Sequence, residues 1–133
     1  MASLKQYLQD YEEVYDYRNI EVTIDEQDIF NVTMNESLGV ALLTNLLKNA
    51  FVHNIDGGHI RITVTKNSIT FRNSGVENPL DKEHIFERFY QGTKKEGSTG
   101  LGLAIADSIC RLQHLSIRYY FEQKEHCFEI SRQ

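Results

Sequence analysis

Apolar residues recur at three- and four-residue steps through Leu4, Tyr7, Leu8, Tyr11, Val14 and Tyr15, which predicts an amphipathic helix over residues 3–17. The period then changes. Ile20-Glu21-Val22-Thr23-Ile24 alternates apolar with polar, as a half-buried strand does, and Ile29 to Val32 predicts a second short strand. Thr33-Met34-Asn35-Glu36 has capping-box spacing and opens the longest apolar stretch, Leu38 to Val52. The turn-rich run His53-Asn54-Ile55-Asp56-Gly57-Gly58 ends that helix.

Downstream, His59 to Val64 and Ile69 to Arg72 read as a hairpin joined through Lys66-Asn67-Ser68. Residues 73–100 hold the only proline, Pro79, and little periodicity. Irregular stretches of that length inside a compact domain are usually functional. A last helix is predicted from Gly102 to Gln113, then strands Ile117 to Phe121 and Cys127 to Ile130. Short turns between strands imply mostly antiparallel pairing, with the helices gathered on one face. The predicted class is therefore α+β, a two-layer α/β sandwich. A doubly wound parallel sheet would need a helix between most strands.

Composition narrows the function. The 133 residues, 41% hydrophobic and 11% aromatic, suit one globular domain. A net charge of −5 disfavours a nucleic-acid surface, which needs basic residues. No apolar run approaches the roughly 20 residues that cross a bilayer, and Met1-Ala2-Ser3-Leu4-Lys5 does not open a signal peptide. Cys110 and Cys127 form neither a CxxC pair nor a disulfide framework. The charge is also uneven: residues 1–28 sum to −6 and the remainder to +1. The acidity thus belongs to the N-terminal part, which is expected to face solvent or a neighbouring domain.

Three segments carry candidate chemistry. Asn45, Asn49 and His53 lie at i, i+4 and i+8 of the central helix, on one stripe with about 40° of drift per step. A polar stripe on an otherwise apolar helix either satisfies neighbouring backbone groups or faces a cavity for a metal or phosphate; Asn oxygens are hard ligands that suit Mg²⁺. Gly97-Ser98-Thr99-Gly100-Leu101-Gly102-Leu103-Ala104 leads straight into a helix, where close backbone approach and helix N-terminal amides favour phosphate. It matches neither the P-loop nor the dinucleotide fingerprint, and a flexible loop before a helix explains it equally. Ile85-Phe86-Glu87-Arg88-Phe89-Tyr90 reads as an aromatic plug over the core, with Arg88 able to pair a carboxylate or phosphate.

In combination these segments resemble the boxes of sensor histidine kinases. Leu43-Thr44-Asn45-Leu46-Leu47-Lys48-Asn49-Ala50 resembles the N box, and Phe71-Arg72-Asn73-Ser74-Gly75 falls at the first glycine box. Ile85 to Tyr90 resembles the F box, and Gly100-Leu101-Gly102-Leu103-Ala104 the second glycine box. Over about residues 20–130 the chain resembles the catalytic, ATP-binding domain of a two-component sensor histidine kinase, with the Bergerat fold also seen in gyrase and MutL. The resemblance implies ATP and Mg²⁺ as cofactors, with residues 1–19 a helix or linker and 20–133 the catalytic domain. Asn49 would hold the metal and Asn45 would lie near the phosphates. Asn73 would receive the adenine and Gly75 would admit it. Ser98, Thr99, Gly100, Leu101, Gly102 and Leu103 would shape the triphosphate pocket. Residues 76–99 would be the ATP lid, with Lys94 and Lys95 at its tip. Catalysis would rest on Asn45 and Arg88. The implied partners are ATP or ADP, a dimerisation domain carrying the phosphoacceptor histidine, and a response regulator; neither nucleic acid nor membrane contact is implied. The implied setting is the cytoplasmic part of a membrane-anchored bacterial receptor.

Three positions depart from the pattern. Asn73 stands where the family usually has an aspartate, Val76-Glu77 replace the second glycine of that box, and Val52 stands where many relatives carry Lys or Arg. His53 or a lid lysine would then supply the charge near the phosphates. Asn45 occupies the position where related ATPases place a glutamate that activates water; an amide cannot, so little hydrolytic turnover is expected. His53, His59, His84, His114 and His126 all lack the acceptor's context, so the acceptor is expected on a domain absent from this chain. Two alternatives remain at this level. One is a degenerate nucleotide-binding regulatory module; the other, an anti-sigma-type serine kinase, is disfavoured by the aromatic box.

Overall fold

The computed structural model describes residues 4–81, 83–87 and 101–133. Helix α1 spans Leu4–Val14 and is followed by a single 3₁₀ turn, Asp16–Arg18. Strand β1 (Glu21–Glu26), helix α2 (Glu36–Val52), strands β2 (His59–Val64) and β3 (Ser68–Asn73), helix α3 (Gly102–Leu112) and strands β4 (Leu115–Glu122) and β5 (Glu125–Arg132) complete the chain. The strands form one sheet in the order β1-β2-β3-β5-β4. Among the described strands only the β1–β2 ladder is parallel, because α2 intervenes between those two strands.

The register aligns one inward row across the whole sheet: Ile24, Ile62, Phe71, Phe128 and Tyr119. Those residues join Leu42, Leu43, Leu46, Leu47, Ala50 and Phe51 of α2 and Ala106, Ile109 and Cys110 of α3 in a single core. The described helices therefore share one sheet face, and the sandwich has the two layers expected. The opposite row, Thr23, Arg61, Arg72, Cys127 and Tyr120, lies on the other face.

Three local expectations need correction. Ile29 to Val32 is not a strand. Phe30, Val32 and Met34 do pack on the core in alternation, but the segment finds no strand partner. Arg132 anchors it instead, hydrogen-bonding the Asn31 carbonyl and covering the Phe30 ring at 4.7 Å. Helix α2 is capped by Asn35 rather than by Thr33: the Asn35 side chain accepts from the Ser37 and Leu38 amides at 2.8 and 3.4 Å. Finally, β4 and β5 extend further than their apolar cores predict. They meet in a tight turn at Gln123 and Lys124, with φ 52° and 62°, so Glu122, Glu125 and His126 of the polar run are sheet rather than loop.

Candidate functional site

The polar stripe of α2 comes first. Asn45, Asn49 and His53 are each half-buried on a helix whose other faces carry Leu42, Leu43, Leu46, Leu47, Ala50 and Phe51 into the core. Asn45 Nδ2 donates to the Ala41 carbonyl at 2.7 Å, which leaves its Oδ1 turned outward. Helix α3 begins directly on that oxygen: a Cβ on Gly102 would lie 3.1 Å from it. The second glycine box is thereby seated on the N box, with Leu101 and Leu103 half-buried beside it. The Asn49 side chain makes no hydrogen bond to any described residue and leaves a hard amide oxygen free for a cation.

The end of β3 supplies the other wall. Asn73 is 2% exposed; its Nδ2 donates to the Ser74 carbonyl at 2.8 Å. Its Oδ1 is buried and, among the described residues, has no hydrogen-bond partner. A buried acceptor left alone is unfavourable unless something occupies its lone pairs. The bond to Ser74 also fixes the amide, because the carbonyl demands a donor, so the oxygen is the atom presented. Gly75 follows, and a Cβ there would approach the His53 carbonyl to 2.9 Å and His126 Cδ2 to 3.1 Å. Only glycine lets β3 leave the sheet against the end of α2.

Asn54, fully buried, ties these walls together. It donates to the Ala50 and His59 carbonyls at 3.1 and 3.0 Å and accepts from the Ile55 amide and from Ser74 Oγ at 2.8 and 2.6 Å. Its four bonds are satisfied, so the network is rigid. Gly58 is required beside it, since a Cβ there would fall 2.3 Å from both Asn54 Oδ1 and Ser74 Oγ.

The root of the segment after Gly75 is anchored by the β4–β5 pair. His126 lies opposite Asn73 in the ladder. Its Nε2 bonds the Val76 carbonyl at 2.6 Å, which requires that nitrogen to carry the proton. Nδ1 then accepts from the Tyr119 hydroxyl at 2.7 Å, and that hydroxyl accepts from the Leu80 amide at 3.0 Å. Burial holds the imidazole pKa below its ordinary value and keeps it neutral. On the open sheet face, Glu125 is pinned by Arg61 at 2.6 Å and by His59 at 2.7 Å, and the Arg61 hydrogen bond lowers its carboxyl pKa. Ile85, 1% exposed, and Phe86, edge-on to Phe128 at 6.3 Å, pack on the core, while Phe89 and Tyr90 of the expected aromatic plug lie outside the described residues. Arg88, Lys94, Lys95, Ser98, Thr99 and Gly100 lie outside the described residues. Sequence reasoning did not single out Arg18, Asn54, Ser74, Tyr119 or His126. Arg18, Ser74, Tyr119 and His126 act through partners that lie on other segments, and Asn54 closes the end of α2 and reaches Ser74 as well.

A described polar wall, with an orphaned acceptor at one end and an asparagine stripe under a glycine-initiated helix at the other, defines a nucleotide-binding domain of the Bergerat type. The family described as histidine kinase-, DNA gyrase B-, and HSP90-like ATPase matches residues 34–131, and the chain belongs to it. It is similar to the sensor histidine kinase RppB of Synechocystis, 43% identical over 84 residues, covering 56% of this chain and 18% of RppB. It is also similar to the heme sensor protein HssS of Staphylococcus aureus, 36% identical over 109 residues, covering 78% of this chain and 24% of HssS. The chain thus spans at most about a quarter of the length of these curated relatives. Its fold matches the catalytic domain of histidine kinase ThkA with a TM-score of 0.81 at 25% identity, over 96% of this chain and 87% of that one. The mycobacterial sensor histidine kinase MprB shares the fold, with a TM-score of 0.79 at 19% identity over 97% and 92% of the two chains. The expected class is borne out: this is a histidine kinase-type ATP-binding domain. No helix among the described residues is long and apolar enough to cross a membrane.

Proposed function

We propose that this domain binds Mg²⁺-ATP and delivers its terminal phosphoryl group to a histidine on a dimerisation domain outside this chain. The observation that carries the reading is the buried, partnerless Oδ1 of Asn73, an acceptor poised for the exocyclic amino group of adenine. ATP supplies the phosphoryl group; the protein's work is positioning and charge stabilisation. Asn73 orients the base and Gly75 leaves room for it. Asn49 offers its amide oxygen to the metal. Asn45 and Gly102 set the start of α3, whose free amides favour the phosphate end together with Gly100, Leu101 and Leu103. His53, Ser98, Thr99 and Lys94 complete the phosphate side, and Arg88 offsets charge that develops on the transferred group.

Asn45 cannot accept a proton from water, and its Nδ2 is held by the Ala41 carbonyl, so hydrolysis is slow and transfer depends on the acceptor domain. Residues 20–133 carry this site and residues 1–19 connect it to the phosphoacceptor domain of a membrane-anchored bacterial receptor, whose product passes to a response regulator. Support comes from relatives named as sensor kinases and from the ThkA structure solved with the response regulator protein TrrA, whose kinase shares this fold. The test is transfer of labelled phosphate from ATP to the cognate dimerisation domain, beside an Asn49→Ala control. Label on the acceptor histidine with the unaltered chain and none with the variant is expected. ATP binding without transfer would instead favour a regulatory module.

A further inference from the structure

The last turn of α2, which carries Asn49 and His53, is held from outside the helix. Four carbonyls at a helix C-terminus lack intrahelical partners, and basic side chains near them are favourable. Helix α2 has no basic residue in its own last turn. Arg18, from the 3₁₀ turn before β1, supplies the charge. Its Nη1 donates to the Phe51 carbonyl at 2.5 Å and Nη2 to the Asn54 carbonyl at 2.5 Å, while Nε bonds Asp56 at 2.9 Å. The Arg18 side chain is only 12% exposed, and the Gly57 amide returns a bond to the Arg18 carbonyl at 2.8 Å.

Phe51 is gripped a second time through its ring. Tyr15 stacks on it at 5.4 Å with 12° between planes, and Tyr11 at 6.2 Å with 23°. Phe51 itself is 1% exposed and lies between Asn49 and His53 in sequence. One residue of α2 is therefore fixed at both its side chain and its carbonyl by the segment preceding β1.

We propose that Tyr11, Tyr15 and Arg18 are positioning residues for the nucleotide site. By gripping Phe51 they hold the α2 end so that Asn49 and His53 face the phosphates, and displacement of α1 loosens that turn and weakens the metal-dependent part of nucleotide binding. The inference rests on the nucleotide reading above. At the adenine end Asn54, Ser74 and Asn73 are joined through their own side-chain bonds, and Arg18 reaches that end only through the Asn54 main-chain carbonyl. Arg18 thus acts chiefly on the α2 end of the ligand site.

The test measures ATP affinity by calorimetry in Mg²⁺ and in EDTA, with amide hydrogen exchange on the free protein. In Arg18→Gln the Mg²⁺-to-EDTA affinity ratio is expected to fall about fivefold or more, while affinity in EDTA stays within about twofold. The His53 and Asn54 amides exchange faster, and those of Phe71 and Phe128 do not. Arg18→Lys keeps charge but not the fork, and lies between. Tyr15→Leu, which leaves the guanidinium in place, gives the same pattern more weakly and serves where Arg18→Gln folds poorly. Equal losses in Mg²⁺ and EDTA, or an unchanged ratio and unchanged exchange at His53, would overturn the proposal. Failure of the unaltered chain to bind Mg²⁺-ATP would overturn the nucleotide reading itself, and that arm involves no variant.

Discussion

Replacing Asn73 by aspartate moves stability and affinity in opposite directions. In the free protein Asn73 is 2% exposed and its Nδ2 donates to the Ser74 carbonyl at 2.8 Å. Aspartate puts an oxygen where that nitrogen stood, so two acceptors face one another and a carboxylate is buried. The lost bond costs about 1 kcal/mol and the poorly compensated charge adds about 1–2 kcal/mol. For a domain of this size that total lowers Tm by roughly 6–10 °C. With ATP bound, the oxygen that meets the adenine amino group carries charge, and the charge-assisted bond is stronger by about 1 kcal/mol, or about fivefold in affinity. Scanning calorimetry on the free variant and titration calorimetry with Mg²⁺-ATP at neutral pH read the two effects separately. An unchanged Tm would refute the account of the Ser74 bond. Equal or weaker ATP affinity would refute the role given to the orphaned oxygen.

Other expectations follow from the same geometry. Gly58→Ala forces a methyl group to within 2.3 Å of Asn54 Oδ1 and Ser74 Oγ, and should destabilise the domain by about 2–3 kcal/mol, read as a lower urea midpoint; an unshifted midpoint counts against the Asn54 network. His126 stays neutral in the fold because burial lowers its pKa, whereas the unfolded chain takes up a proton near about pH 6.5. Its contribution is present above that pH and is lost as pH falls below it. The His126→Phe variant should therefore show a shallower loss of stability as pH falls below about 6.5 than the unaltered chain; parallel curves would exclude the neutral latch. Burial pushes the Cys110 thiol up to about 12 and the Cys127 thiol up to about 11, so neither should alkylate at neutral pH until the chain is denatured. Labelling of the native protein at either position would contradict the packing.

Much of this site is legible in the sequence. Helix α2 is apolar nearly all round, so Asn45, Asn49 and His53 stood out against it, and the structure keeps that stripe half-buried. The β2–β3 hairpin showed the alternation of a sheet with one core face. What could not be read depended on partners far away in sequence. Glu125 and His126 belong to a polar run that looks like a loop; they are buried because Arg61, His59, Tyr119 and Val76 meet them across the sheet. Arg18 offers one cation among acids, and nothing local reveals that it reaches the end of a helix more than 30 residues later. The Ile29 to Val32 segment shows the converse error. Its alternation reported burial correctly, but a strand also needs a neighbour with free ladder positions. Asn35 displaced Thr33 as the cap because an asparagine side chain already satisfied two amides of the first turn.

The central claim is that Asn73 presents an acceptor to the base, and replacing the base tests it most directly. Titration calorimetry should compare ATP with inosine triphosphate, which carries a 6-oxo group in place of the amino group and a proton on N1. Because the Ser74 carbonyl prevents the Asn73 amide from turning, the oxo group meets an acceptor rather than a donor. The account predicts that inosine triphosphate binds weaker than ATP by about tenfold or more. Equal affinities for the two nucleotides would contradict it.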